Sequence, residues 1–300
     1  MGSAVTGPVG RLLAWRPATP ELPEDLARLI RPDDPEWFAR EMAIVAAPPW
    51  EFWTFVLRRF AWLVEIFGAI EVTGEVPDEL RRGPLLLAVN HIGDFDPFVI
   101  AVALHRIGVT PRFMATGGIV AAPVIGLVLE RTGVIRVQRG TELARHAVRV
   151  TEVALVSGGH VVAYPEGRIG LTRDGWPERG RTGMARLALG LGVPVIPVSQ
   201  WGAHEVLQYR NDWGKLRTLV RAVVRRPALR VHVGPPVFLD DLRPGRVGDA
   251  NRARYRIAAA ITRGLVPLRE GDTERPLFVD PTRPVTAVAA FPGGVPDNVP

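Results

Sequence analysis

Three scarcities narrow the chemistry open to this 300-residue chain: it has no cysteine, one lysine and three serines. Without cysteine there are no disulfides, thiolate zinc sites, iron–sulfur clusters or cysteine nucleophiles. The lone Lys215 lies in Trp-Gly-Lys-Leu, outside any phosphate-loop glycine spacing. That excludes P-loop nucleotide chemistry and argues against a lysine Schiff base. None of Ser3, Ser157 and Ser199 sits in Gly-x-Ser-x-Gly, which argues against a hydrolase built on a nucleophile elbow. No strand pattern runs into Gly-x-Gly-x-x-Gly, so a dinucleotide enzyme of Rossmann type is not expected. Histidine, carboxylate and arginine remain to run a reaction.

Long apolar runs are missing as well. No 18-residue helix-compatible apolar window occurs, so no transmembrane span is expected. The longest uncharged stretch, Leu187 to Ala203, is broken by Pro194, Pro197 and three glycines, and reads as a helix end, a turn and a buried strand. The first 30 residues carry Glu and Asp and no apolar core, so no secretory leader is expected. Histidines and carboxylates nowhere cluster with ligand spacing, so no metal and no bound cofactor are expected.

What the chain does have is apolar residues at 47% with 23% charged, enough for a sizeable core. Thirty-six arginines set a net charge of +6 and a pI near 10.7. Such a balance suits anionic partners: lipid headgroups, phosphate esters or nucleic acid. A GC-rich genome explains most of the arginine bias. The arginines are scattered and the aromatics are not interleaved with a basic patch, so no nucleic-acid partner is expected.

The chain divides into a Pro-rich N-terminal arm (1–49), an aromatic helix (50–70), a catalytic domain (71–266) and a Pro/Gly-rich irregular tail (267–300). A short helical patch is expected near Pro35–Ile44. Seven of the 21 residues from Trp50 to Ile70 are aromatic. At about 100° per residue, Glu51, Arg58 and Glu65 form a narrow charged stripe on an otherwise apolar helix. Two readings stand: a helix docked on the core, or one lying in a membrane interface with arginine at anionic headgroups. Beyond Val72, strand patterns at Leu85–Val89, Arg112–Ala115, Val134–Val137, His160–Tyr164, Val195–Val198 and Leu229–Val233 alternate with helical ones. The helical patterns lie near Pro97–His105, Pro123–Arg131, Glu142–Val156, Thr182–Leu191 and Ala250–Gly264. This alternation predicts an α/β fold, a layered α/β/α domain around a central mixed sheet.

Four blocks carry candidate chemistry. In Asn90-His91-Ile92-Gly93-Asp94-Phe95-Asp96, a histidine at a strand end and an aspartate at a helix start can fold back on each other. The carboxylate would then fix the imidazole tautomer and raise the basicity of its other nitrogen. Tyr164-Pro165-Glu166-Gly167-Arg168 is a tight turn at a second strand end that presents a charged pair; taken alone it reads first as a surface turn with a solvated ion pair. Gly133-Val134-Ile135-Arg136-Val137-Gln138-Arg139 is a strand leading to an arginine. Val193-Pro194-Val195-Ile196-Pro197-Val198 is an apolar strand preceded by Gly180-Arg181-Thr182-Gly183, whose helix start and arginine suit a phosphate.

In this order and spacing the blocks resemble the four motifs of the glycerolipid acyltransferase family that contains the 1-acylglycerol-3-phosphate acyltransferases, across roughly residues 70 to 240. The first matches the family's His-x4-Asp motif fully and the fourth matches well. Arg136 stands where an aromatic or aliphatic residue is common. The third block lacks a residue of Pro-Glu-Gly-Thr-Arg, because Arg168 follows Gly167 directly. Thr172-Arg173-Asp174 and the Gly-Arg-Thr-Gly block resemble an actinobacterial branch.

The resemblance implies direct attack of an acceptor hydroxyl on an acyl thioester, from acyl-CoA or an acyl-carrier protein. His91 would act as general base and Asp96 would hold its ring. Backbone N–H groups near the Gly167 turn would steady the oxyanion. Arg139 would bind the acceptor's phosphate, with Arg168 and Arg181 behind it. Glu166, with Gly167, would lie in the acceptor site and order those arginines. The implied acceptor is a lysophospholipid, 1-acylglycerol-3-phosphate giving phosphatidic acid, with the protein peripheral on the cytoplasmic face of the cell membrane. The altered third block keeps open a glycolipid or specialised metabolite as acceptor. A non-catalytic lipid-binding protein of the same fold is the remaining alternative.

Overall fold

The computed structural model describes residues 20–48, 51–116, 129, 132–137, 143–170, 175–207 and 212–269. Seven strands form one sheet in the order β1-β7-β6-β2-β5-β3-β4. They are β1 (Ala69–Gly74), β2 (Leu85–Val89), β3 (Arg112–Thr116), β4 (Ile135–Val137), β5 (His160–Ala163), β6 (Val195–Trp201) and β7 (Ala228–Val233). Neighbouring pairs are parallel except β6 and β7, which are antiparallel. The sheet is therefore mixed, with β1 and β7 opposed to the other five strands.

Seven longer helices flank it among the described residues: α1 (Glu36–Ala46), α2 (Glu51–Phe67), α3 (Asp96–Arg106), α4 (Leu143–Val156), α5 (Gly183–Leu191), α6 (Asp212–Arg225) and α7 (Asp249–Leu265). The central strand β2, Leu-Leu-Leu-Ala-Val, shows why the helices form two layers. All five residues are buried, as a strand covered on both faces requires. Side chains alternate across a strand, and the two sets enter different cores. Leu85, Leu87 and Val89 pack with Leu57 and Val64 of α2, Val99 of α3 and Ala222 of α6. Leu86 and Ala88 pack with Phe38 and Met42 of α1, Val150 and Val153 of α4, Ala185 of α5 and Ile257 of α7. Each fully buried Leu contributes about 1.5–3 kcal/mol of transfer free energy.

The layered α/β/α architecture is as the alternation predicted. The arm is more integrated than its prolines suggested, because the Phe38/Met42 pair, one turn apart, is fully buried against α4. Asp34 just before α1 accepts from Arg149 Nη2 at 2.9 Å and lies 3.1 Å from His146 Nε2. The aromatic helix stops at Phe67, and Ala69–Ile70 open β1 instead. As an edge strand β1 buries only Ile70 among its six residues, too weak a period to read. Helix α6 was also unanticipated; its exposed valines resemble a strand pattern. Segments 1–19, 117–128 and 270–300, which include most of the expected Pro123–Arg131 helix and nearly all of the tail, lie outside the described residues.

Candidate active site

Strands β5, β2 and β6 are adjacent and parallel, so their C-terminal ends bring the Tyr164–Arg168 block, the Asn90–Asp96 block and Gln200 near the end of β6 to one edge of the sheet. Open α/β sheets bind ligands at that edge. Leaving β2, the chain turns through Ile92 and Gly93 before Asp96 opens α3. A Cβ on Gly93 would stand 3.1 Å from His204 Cα and from the Leu207 carbonyl oxygen. A side chain there would press on the single helical turn Ala203–Val206 that follows β6, so glycine suits this close approach.

Within the turn, His91 Nδ1 lies 2.8 Å from Asp96 Oδ2. The same oxygen accepts the Ile92 N–H at 2.6 Å and the Gly93 N–H at 3.0 Å. Asp96 is fully buried at the first position of a helix, where the helix dipole favours negative charge. Asp96 Oδ2 also accepts the hydrogen bond from Nδ1–H, which leaves the lone pair on His91 Nε2 to accept a substrate proton. The imidazole also stacks on Tyr164, ring centroids 4.2 Å apart at 21°. Burial pushes the Tyr164 hydroxyl well above its ordinary pKa, with the nearby Asp96 charge acting in the same direction.

The backbone of His91 is clamped on both sides. Its N–H donates to Glu166 Oε1 at 2.9 Å, and its carbonyl accepts the Gly170 N–H at 2.6 Å. The other oxygen of Glu166 accepts the Glu178 N–H at 3.0 Å. Asn90, one residue earlier, interlocks with β6. Its Nδ2 donates to the Gln200 carbonyl at 3.0 Å and its Oδ1 accepts the Gln200 N–H at 2.8 Å. Gln200 Nε2 in turn donates to the Asn90 carbonyl at 3.0 Å. Burial raises the Glu166 carboxyl to about 8, against the lowering pull of its two backbone N–H donors.

Three expectations change here. Glu166 is buried and holds backbone N–H groups of His91 and Glu178, and among the described residues no arginine lies against it. The Glu-Gly-Arg turn is consequently an internal clamp and not a solvated surface turn. Arg168 is held by Glu178 through contacts of 3.2, 3.0 and 2.8 Å. The Gly167 N–H donates to the Tyr164 carbonyl at 2.9 Å, so that amide closes its own turn. Gly167 itself sits at φ +67°, a left-handed conformation that favours glycine. Over it lies Arg181, whose Cδ and Nε would be 3.5 Å from an added Cβ. The Arg181 side chain is exposed and its N–H donates to the Pro165 carbonyl. Arg139, with the Thr172–Asp174 segment, lies outside the described residues; β4 ends at Val137, two residues before it.

Asn90, Gln200, Tyr164 and Glu178 were not singled out from sequence. The signal for the first two was a polar amide at the buried end of each of two apolar strands. Among the described residues no group of three or more His, Asp or Glu is placed to hold a metal ion.

Residues 69–201 match the acyltransferase family model. The chain is 24% identical over 138 residues to a chloroplast 1-acyl-sn-glycerol-3-phosphate acyltransferase of Brassica napus, covering 46% of this chain and 40% of that protein. It is 29% identical over 155 residues to a lyso-ornithine lipid O-acyltransferase of Pseudomonas aeruginosa, covering 50% and 53%. The matched region thus spans about half or less of these relatives' length. Among solved structures, the 1-acyl-sn-glycerophosphate acyltransferase of Thermotoga maritima superposes with a TM-score of 0.53 at 17% identity, covering 83% of this chain and 87% of that one. That likeness establishes a shared fold.

Proposed function

We propose that this chain, whose residues 69–201 match the acyltransferase family model, is a glycerolipid acyltransferase that moves an acyl group from an acyl thioester, acyl-CoA or acyl-carrier protein, to a hydroxyl of a lysolipid. The observation that carries the mechanism is the 2.8 Å pair of His91 Nδ1 and buried Asp96. His91 Nε2 takes the acceptor's hydroxyl proton as the oxygen attacks the thioester carbonyl. The tetrahedral intermediate collapses with loss of the thiolate, which His91 reprotonates. Asp96 keeps the ring in one tautomer and stabilises the imidazolium while the proton is held there. No acyl-enzyme and no bound cofactor are needed, in keeping with a chain without cysteine.

The preferred acceptor is 1-acylglycerol-3-phosphate, giving phosphatidic acid. Exposed Arg181 on the Gly167 turn is the arginine this reading assigns to the phosphate, together with Arg139. A bidentate guanidinium suits that task. A second reading, a lysolipid without the glycerol phosphate, is favoured by one observation: Glu178 already engages Arg168. Incubating the purified chain with a long-chain acyl-CoA and lysophosphatidic acid, glycerol-3-phosphate or lyso-ornithine lipid, read by mass spectrometry, separates them. The first reading predicts phosphatidic acid as main product, and Arg181→Ala should raise KM for lysophosphatidic acid about tenfold or more. Acylation of lyso-ornithine lipid alone would overturn it.

Membrane residence follows from such an acceptor. Helix α2 turns Leu57 and Val64 into the core while Phe55 and Trp62 are 52% and 60% exposed. Its outer aromatic face, with exposed Arg58 and Arg59, supports peripheral contact with anionic lipid; we propose the cytoplasmic face. No described helix is long and apolar enough to cross a membrane.

A further inference from the structure

We propose that α6, the helix between β6 and β7, is a second bilayer-docking element, whose ligand is an anionic lipid surface. This goes beyond the acyl-transfer reading, which leaves α6 without a role. The helix meets the protein through Ala222, which is buried, and half-buried Leu219. That contact is complete without its other apolar residues. Leu216, Val220, Val223 and Val224 are 53%, 59%, 44% and 82% exposed.

At about 100° per residue those four side chains share one arc of the helix, which adjoins the docked stripe. Arg217, Arg221 and Arg225 fall on the neighbouring arc, and all three are exposed. None of the three has an ion-pair partner among the described residues. A docked stripe, an apolar stripe and a basic stripe beside it are what an interfacial helix presents to anionic headgroups, with the arginine stems able to lie along the apolar boundary.

Two observations tie this face to a surface shared with α2 and the site. Helix α6 packs beside α2, and Arg226 Nη2 just beyond its end donates to the Glu65 carbonyl of α2 at 3.0 Å. The exposed aromatics of α2 and the exposed valines of α6 thus belong to neighbouring helices of one layer. At its other end, Lys215 Nζ lies 3.0 Å from Asp94 Oδ2, inside the His91–Asp96 turn. A bilayer held by α6 would bring lysolipid to the helix that touches the catalytic turn.

The test is flotation of the full chain with vesicles of phosphatidylcholine alone and of equal parts phosphatidylcholine and phosphatidylglycerol. Arg221→Gln/Arg225→Gln should weaken binding to the anionic vesicles by roughly thirtyfold and leave the neutral ones unaffected. Val220→Asp/Val224→Asp should weaken binding to both by about tenfold or more. Circular dichroism and thermal melting close to the parent chain check that both variants fold, as substitutions at exposed positions should. Parent-like vesicle binding by both variants would overturn the proposal. So would a concentration-dependent self-association that Val220→Asp/Val224→Asp abolishes without changing vesicle binding, because the face would then belong to a second copy of this chain. Binding is read without turnover, so either outcome stands apart from whether His91 proves catalytic.

Discussion

Glu166 is the residue on which the site's geometry most depends without touching the reacting atoms. Its carboxyl holds the His91 N–H and the Glu178 N–H at once, so it sets where the His91–Asp96 turn sits relative to the segment at Glu178. Burial raises its pKa from 4.5 to about 8. Between those values the folded chain keeps a proton that the unfolded chain has released. By linkage, stability is greatest below about pH 4.5 as far as this group goes, and falls as pH rises towards 8. One such group changes stability by at most about 1.4 kcal/mol per pH unit. Urea unfolding across that window should show the decline, and Glu166→Gln should flatten it while lowering stability overall by about 1–3 kcal/mol. An unchanged slope in the variant would mean that Glu166 titrates normally. The charge of this turn was legible in Pro-Glu-Gly-Arg, but its inward direction was not. Whether a carboxylate faces water or backbone N–H groups depends on His91, 75 residues back along the chain, as well as on Glu178.

Helix α2 separates two questions that its sequence merged. Seven aromatics in 21 residues announced an amphipathic helix, and periodicity placed Glu51, Arg58 and Glu65 together. Periodicity does not say which apolar arc meets the protein, because both arcs are apolar. Packing decides it: Leu57 and Val64 face the sheet, Phe60 lies 5.7 Å from Phe98 of α3, and Glu65 pairs with Arg106. Leu57→Ala should therefore cost about 2–5 kcal/mol of stability. Trp62→Ala should change stability by no more than about 0.5 kcal/mol yet weaken binding to anionic vesicles severalfold. Thermal melts and vesicle flotation on the same two variants read both; equal destabilisation would place Trp62 in the core instead. Strand and helix alternation from β2 to α7 was legible because those elements are long or continuously apolar. Edge strand β1 and helix α6 were not, since neither buries enough of its own residues to set a clear period.

The assembled domain explains why distant blocks act as one site. Parallel neighbours β5, β2 and β6 bring Glu166, His91 and Gln200 to one edge, though 75 residues separate the first two. Motif order in the sequence pointed to that meeting, while the Asn90–Gln200 interlock and the Tyr164 stack emerge only from strand neighbourhood. Composition is consistent with the proposed reading: proton transfer through His91 and Asp96 would need neither cysteine nor serine, of which the chain has none and three. The most direct measurement is acyl transfer from a long-chain acyl-CoA to lysolipid by the purified full chain and by His91→Ala, with circular dichroism alongside. Loss of general-base catalysis predicts a fall in kcat of about 10²–10⁴-fold in a normally folded variant. A folded His91→Ala that acylates lysolipid at close to the parent rate would contradict the account.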